Sequence, residues 1–444
     1  MLLLIVIDEI DITTVNSPLI ELATGTTTDY DPRSLVTIIP IGGEAKRLLP
    51  LTAEVAKPCI RLLNRPIVEM SLLSLTSQGV RNFIFGVKGY TNYRSLYDYF
   101  QSGVDFSARY KVDPPVHIKY QPNVEDCGSA DSARINIEYY DIEKPVLVIQ
   151  GDNILDVDLE GLLAFHQARR AYMTIGLVPV TNVTGYGIAD IDKDMRISRF
   201  VEKPSPNEAP SNLANAGLYL ISSKFRKIFK EKTIQEKILN KRLDFGYDLI
   251  PYLVDAGIRV FGYVLKGTWF DVGTPERYLE AMKAILHGQL KALQDFGSKT
   301  SENPAVWIQG ESIESIRTRK EIVQKITRGK IKVEGPVLIG RHCRISDGAR
   351  IVESCIDNYS QIGKNVVVDR SAVMDRVILE DNAEIRESII GRHSTIKSCK
   401  AKPTKILQTS VLADDVTVEA GCNLVSARIY PHKYVSEFGY TDKR

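Results

Sequence analysis

Three things are scarce in this chain of 444 residues. The first is excess charge: 57 Lys plus Arg stand against 55 Asp plus Glu, leaving +2 at neutral pH. That balance excludes both a basic surface built to neutralise nucleic-acid phosphates and an acidic disordered tail. The second is paired cysteine. Cys59, Cys127, Cys343, Cys355, Cys399 and Cys422 are scattered, with no CxxC and no histidine at zinc-ligand spacing, so they read as free thiols of a reducing, cytoplasmic compartment. The third is long apolar sequence, since no run approaches the ~20 residues of a membrane-spanning helix. The opening MLLLIVI is short, has no basic flank and meets Asp8 and Glu9 directly, which argues against a signal peptide or anchor. Two familiar phosphate fingerprints, GxxxxGK(S/T) and GxGxxG, are also missing.

What is present is ordinary globular composition, 44% hydrophobic and 25% charged, enough for about two or three domains of ~150 residues. Residues 1–34, rich in Thr, Asp and Ser, read as an appendage. From Leu35 the pattern alternates. VTIIPI (Val36 to Ile41) reads as a buried strand, Pro66 to Gly79 as a helix begun by Pro and ended by Gly, and NFIFGV as a second strand. A helix over Tyr93 to Gln101, a strand over His117 to Tyr120, a helix from Ser129 and a strand over Val146 to Gln150 continue the series. Strands separated by helices imply an α/β fold with a doubly wound, mostly parallel, Rossmann-like sheet, whose ligands bind beyond the carboxyl ends of the strands. Strand-like runs at MTIGLV, YGIADI, RISRFVE and AGLYLI then suggest walls of a substrate pocket, and a helix over Pro275 to Leu286 closes the domain, 35–286. Residues 287–330 read as a partly helical connector.

Beyond Lys330 the texture changes. Aliphatic residues recur near every sixth position: Ile339, Ile345, Ile351, Ile356, Ile362, Val368, Val373, Leu379, Ile385, Ile390 and Ile396, with the shorter steps read as slips. After a break at Ser398 to Ser410 the period returns at Leu412, Val418 and Leu424. Neither a helix nor an ordinary strand has that period, whereas a hexapeptide β-helix does. The expected solenoid occupies 331–430, with a tail over 431–444. Its flat faces and coil ends suit it to assembly of a homo-oligomer.

The chemistry-bearing segments lie after strands. GGEAKRLLPLTAEVAKP (Gly42 to Pro58) follows the first one, and its two glycines would let backbone N–H groups approach a phosphate. Arg47 and Lys57 supply charge that could converge on a triphosphate. Asp152 follows VLVIQG at the carboxyl end of a strand, where an Asp is a natural magnesium ligand. Glu202 and Lys203 in RFVEKPSP, Asn215 and Gly217 in SNLANAGLYLI, and Asp271 in TWFDVGTPERY complete the set.

With these motifs in this order, the chain resembles the sugar-1-phosphate nucleotidylyltransferases, or nucleotide-sugar pyrophosphorylases, that carry a left-handed β-helix after the catalytic domain. The resemblance covers about Val36 to Tyr430 and rests on GG…R…PLT…KP, GDN (Gly151 to Asn153), Tyr186 with Gly187, VEKP (Val201 to Pro204), NAG (Asn215 to Gly217) and WFDVGT (Trp269 to Thr274). It implies transfer of a nucleotidyl group from a nucleoside triphosphate to a hexose 1-phosphate, with pyrophosphate released. It also implies roles. Gly42 and Gly43 would cradle the phosphates, Arg47 would steady the developing pyrophosphate, and Lys57 would neutralise charge near the transferred phosphate. Asp152 and Asp271 would hold magnesium, Gln121 and Gly128 would line the base pocket, and Tyr186, Gly187, Glu202, Lys203 and Asn215 would face the sugar phosphate. Two departures stand out. The family loop GGxGTR reads GGEAKR here, with Ala45 in place of Gly and Lys46 offering an added charge beside the triphosphate. The base segment reads CGSAD (Cys127 to Asp131) in place of LGTA, leaving the nucleobase open.

Two other readings compete. One is a regulatory paralogue that keeps the fold without the chemistry, against which Arg47, Lys57, Asp152 and Asp271 argue. The other adds an acyltransferase in the solenoid with His342 or His393 as base, although each follows a Gly-Arg pair at an expected corner and also reads as a turn residue.

Overall fold

The computed structural model describes residues 30–43, 45–122, 126–294, 296–302 and 304–442. Most of the N-terminal appendage, positions 1–29, lies outside the described residues. The chain divides into two compact units, Met1–Gly43 with Ser71–Trp269, and Glu44–Met70 with Phe270–Arg444.

The first unit is built on a nine-stranded sheet. Its strands are β1 (Val36–Ile41), β2 (Asn82–Val87), β3 (His117–Pro122), β4 (Val146–Ile149), β5 (Met173–Pro179), β6 (Gly187–Ile191), β7 (Ile197–Glu202), β8 (Leu213–Ile221) and β9 (Val260–Val264). They run in the order β7-β6-β8-β4-β1-β2-β3, with β5 on β8 and β9 on β5. The alternating half is parallel as expected: β2 and β4 flank β1, and β3 lies beside β2. The direction reverses at β8, which is antiparallel to β4, β5 and β6. Ile38 and Ile39 in β1 and Val148 and Ile149 in β4 have no exposed surface, as the near-continuous apolar sequence of a strand covered on both faces requires.

Helix α1 spans Ile67–Ser77, α2 Tyr90–Phe100, α3 Ser129–Tyr139 and α4 Leu159–Ala168. The second of these starts three residues earlier than expected, directly after Gly89 at φ +87°. The last, α4, begins at Asp158, whose side chain accepts the Gly161 N–H. It buries Leu159, Leu162, Leu163 and His166 along one stripe.

In the second unit, residues 45–66 form two short 3₁₀ turns (Lys46–Leu48 and Lys57–Cys59) and a hairpin pairing Arg61–Leu62 with Arg65–Pro66. Leu63 and Asn64 at the hairpin tip both have positive φ, the signature of a tight primed turn. Helix α5 (Pro275–Leu286) starts with Thr274 as cap and Pro275 in its first turn. The connector contains an antiparallel pair, Ser298–Glu302 with Ala305–Ile308, and α6 (Ile313–Thr327) capped by Ser312. Its strand Ala305–Ile308 continues in parallel onto Val337–Ile339.

From Lys332 the chain winds into three parallel sheets forming a β-helix. Ile339, Ile356, Val373 and Ile390 line one sheet, Ile345, Ile362, Leu379 and Ile396 a second, and Ile351, Val368 and Ile385 the third. All are buried. The five-residue steps are not slips. They recur at one corner of the successive coils between Ile351 and Ile390, so equivalent residues there stand 17 apart, as Ser371 N donating to Ser354 Oγ shows. Ser388 N repeats the bond to Ser371 Oγ, so a column of buried serines satisfies backbone donors at the corner. The break at Ser398 to Ser410 is a longer coil, with 22 residues between Ser394 and Val416. The last residues, expected as a tail, form two strands, Lys433–Ser436 on Thr417–Val418 and Gly439–Asp442 antiparallel to it. Another corner stacks His342, Tyr359, Arg376 and His393, all with φ between 57° and 60°.

Candidate phosphate and sugar site

In the first unit, Gly42 and Gly43 follow β1 directly and are exposed. A Cβ on Gly43 would meet nothing within 4 Å, and one on Gly42 would stand 3.2 Å from Lys88 Cβ. A phosphate could therefore approach the backbone closely at this turn. Lys88 directly follows β2, donates its N–H to Ile41 O at 2.8 Å and its Nζ to Asp126 O at 2.5 Å. The sequence reading missed this cation, although its place immediately after a strand marks it.

Asp152 is half-buried in the turn after β4, where Asn153 N donates to Gln150 O. That turn is locked to the NAG segment of β8. Gln150 N donates to Gly217 O at 2.9 Å, and Asn153 Nδ2 to Ala216 O at 2.7 Å. Gly217 has φ +69°, and a Cβ there would lie 2.6 Å from Gln150 Cγ and 2.7 Å from Asn153 Nδ2. The register of β8 shifts between Asn215 and Tyr219, and the Asn215 amide shapes this bulge by accepting from Gly217 N and donating to the Tyr219 hydroxyl. Trp269 Nε1 donates to Ala216 O, and the Tyr186 ring stands edge-on to Trp269 at 5.5 Å.

The other residues expected on the sugar-phosphate side gather close by. Glu202 pairs with Gly187 across β7 and β6. A Cβ on Gly187 would come within 2.5 Å of Glu202 Oε2, and Gly246 makes room for the same carboxylate. Burial pushes Glu202 up, and the Lys203 ammonium 3.7 Å away pulls it back. Lys203 itself has φ +50°, donates its N–H to Tyr186 O and lies over the Tyr247 ring. Tyr186, Gly187, Glu202, Lys203 and Asn215 thus share one region of the sheet.

Gly128, expected from the resemblance to line the base pocket, precedes α3 at φ +145°, and a Cβ there would stand 2.8 Å from Leu243 O. Only glycine fits this position. The CGSAD departure has a structural use, because Asp131 accepts the Cys127 N–H, while Asp126 accepts that of Gly128 and Asp244 that of Ser129. Burial raises the Asp126 carboxyl. Gln121 lies on the edge strand β3 opposite Gly86, and among the described residues it makes no backbone hydrogen bond with Gly128.

In the second unit, Ala45 adopts φ 45°, ψ 40°, the left-handed conformation natural to the glycine it replaces. Thr52 Oγ1 donates to its carbonyl at 3.1 Å. Lys46 and Arg47 follow, both exposed, in the first 3₁₀ turn, and half-buried Lys57 opens the second. Gly273 is where Arg47 and Asp271 meet: a Cβ there would lie 3.2 Å from Arg47 Nη2 and 3.1 and 3.3 Å from the two Asp271 oxygens. Arg277, in the first turn of α5, pairs with Asp271 at 2.5 Å. Sequence reading passed over Arg277, which lies one helical turn past a capping Thr and so faces back to the loop before it.

Among the described residues no three acidic, His or Cys side chains cluster as a metal cage. Single hard carboxylates such as Asp152 and Asp271 nevertheless fit magnesium, which keeps several waters and is held by one or two carboxylates together with substrate phosphates.

The fold is an α/β sheet domain followed by a β-helix. A family described as Nucleotidyl transferase matches residues 36–288, and one described as GMPPB C-terminal domain matches residues 333–443. The chain is 31% identical to a glucose-1-phosphate adenylyltransferase of Desulforamulus reducens over 80% of its length and 89% of that protein. It is 27% identical to a UTP–glucose-1-phosphate uridylyltransferase of Synechocystis, covering 81% and 88% of the two chains. A mannose-1-phosphate guanyltransferase of Pichia angusta is 25% identical, with 90% and 97% covered. The chain belongs to the nucleotidyl transferase family.

Proposed function

We propose that this protein transfers a nucleotidyl group from a nucleoside triphosphate to glucose or mannose 1-phosphate, giving a nucleoside diphosphate sugar and pyrophosphate, with magnesium as cofactor. The observation that carries this reading is the meeting of Arg47, Asp271 and Arg277 around Gly273 in a chain of this family. A phosphate oxygen of the sugar phosphate attacks the α-phosphorus of the triphosphate. The bond from α-phosphorus to the bridging oxygen breaks, and pyrophosphate leaves with the electron pair. All partners are anionic, so positioning and charge cancellation do the catalysis and no enzyme nucleophile is required.

In this reading Gly42 and Gly43 donate backbone N–H groups to the phosphates, Lys46 adds charge beside the triphosphate, Arg47 steadies the leaving pyrophosphate, and Lys57 offsets charge at the transferred phosphate. Gln121 and Gly128 line the base, while Tyr186, Gly187, Glu202, Lys203 and Asn215 hold the sugar phosphate. Asp152 and Asp271 are the carboxylates for magnesium, which would draw negative charge from the phosphate oxygens. Residues 35–286 carry the reaction, 287–330 connect, and the left-handed β-helix from 331 assembles a homo-oligomer in the cytoplasm. No helix among the described residues is long and apolar enough to cross a membrane. An acyltransferase role for the β-helix finds little support: His342 stacks on Tyr359 at 5.0 Å with Nε2 beside Ser315 Oγ at 3.3 Å, the setting of a packed corner residue.

The test is a matrix of the common nucleoside triphosphates against hexose 1-phosphates in magnesium, read by pyrophosphate release. One nucleotide with glucose or mannose 1-phosphate should stand out; no release from any pair would overturn the proposal.

A further inference from the structure

An ion pair with a buried carboxylate ties the β-helix to the segment that carries Lys57. Arg61 lies four residues beyond Lys57, joined to it by the 3₁₀ turn in which Ile60 N donates to Lys57 O. Its guanidinium grips Asp357 in a fork, Nε to Oδ2 at 2.6 Å and Nη2 to Oδ1 at 3.1 Å. Asp357 directly follows the β-helix strand Cys355–Ile356 and is only 2% exposed. Asn358 N also donates to it at 2.6 Å. The hairpin tip is held as well, since Asn64 accepts from Cys355 Sγ and donates to Gln309 Oε1.

The same cluster reaches the second charged element. The Arg61 carbonyl accepts the Tyr278 hydroxyl at 2.5 Å. Tyr278 is a fully buried residue of α5 and follows Arg277, the partner of Asp271. One carboxylate of the β-helix therefore holds, through Arg61, both the stretch after Lys57 and the helix that presents the Asp271–Arg277 pair. Such a pair gains little net stability over an apolar pair of the same shape, because the Asp357 carboxylate is fully desolvated and Arg61 largely so. Its forked geometry instead fixes orientation.

We infer that Asp357 is a positioning residue for nucleotidyl transfer: with Arg61 and Tyr278 it sets the register of Lys57 and of the Asp271–Arg277 pair. This rests on the function proposed above. The β-helix is then part of the scaffold of the reaction as well as an assembly module.

The experiment uses the full-length protein and the substrate pair that the wild type turns over. Asp357→Asn keeps the shape of the side chain and removes its charge; Tyr278→Phe deletes one hydroxyl and no volume. Both should lower kcat, Asp357→Asn by about 10- to 100-fold, with KM for the triphosphate changed much less and cooperative melting retained above the assay temperature. Arg61→Ala should make Asp357→Asn nearly silent in kcat, because the link is already cut. An unchanged kcat in folded Asp357→Asn would overturn the inference. Should that variant fail to fold, an unchanged kcat in Tyr278→Phe would do so. A wild type without turnover would instead sink the functional reading itself.

Discussion

At the scale of single residues, the least expected feature is Ala45. Its φ of 45° places an alanine where the Cβ crowds the neighbouring carbonyl, at a cost of roughly 1–2 kcal/mol. Ala45→Gly should therefore stabilise the protein by up to about 1 kcal/mol, the relief of strain outweighing the added freedom of the unfolded chain. Chemical denaturation reads this directly, and a lowered midpoint would mean that the loop does not need the left-handed conformation. What the sequence marks most clearly at this scale is where the backbone needs glycine. Gly128 and Gly217 are cases in point, since their positive φ and close neighbours leave no room for a Cβ. Lys88 and Arg277 carry the same kind of local signal, a charge directly after a strand and a charge one turn past a capping Thr, but neither stands inside one of the motifs named above: Lys88 meets its partner Asp126 only in the fold, and Arg277 meets Asp271 six residues back.

At the scale of elements, strands and helices with clean periods were readable, including β1, β2 and α5. Helix α4 was passed over because Gly161 interrupts a short pattern, although Leu159, Leu162, Leu163 and His166 recur at helical spacing. Its packing gives an acid sensitivity. His166 has no exposed surface, its Nδ1 lies 2.8 Å from Thr174 Oγ1 on β5, and burial lowers its pKa from 6.5 to about 4. Between those values the unfolded chain binds a proton that the folded one refuses, so stability rises with pH. The contribution is fully present above 6.5 and is lost as pH falls towards 4, roughly 3 kcal/mol in all. Urea unfolding of wild type and His166→Gln from pH 7 to 4 should show a shallower decline in the variant. Parallel declines would show that this histidine is not the group responsible.

At the scale of the whole molecule, the β-helix was visible in its period but its coil was not. Only the stacking shows that the five-residue steps mark one corner and that the coil repeats at 17 residues. The grouping of Glu44–Met70 with Phe270–Arg444 was equally hidden. It arises from contacts such as Arg61 with Asp357, 296 residues apart, which no local pattern encodes. At the centre of the proposed function, Arg47 and Lys57, with a magnesium ion held by Asp152 and Asp271, cancel the charge of a triphosphate as a sugar phosphate attacks it. The most direct measurement is the turnover of full-length Arg47→Ala and Asp152→Ala on the wild-type substrate pair in magnesium, with melting curves recorded alongside. Each should lose at least ~10²–10³-fold in kcat/KM while keeping its fold; folded variants that stay within a few-fold of wild type would contradict the account.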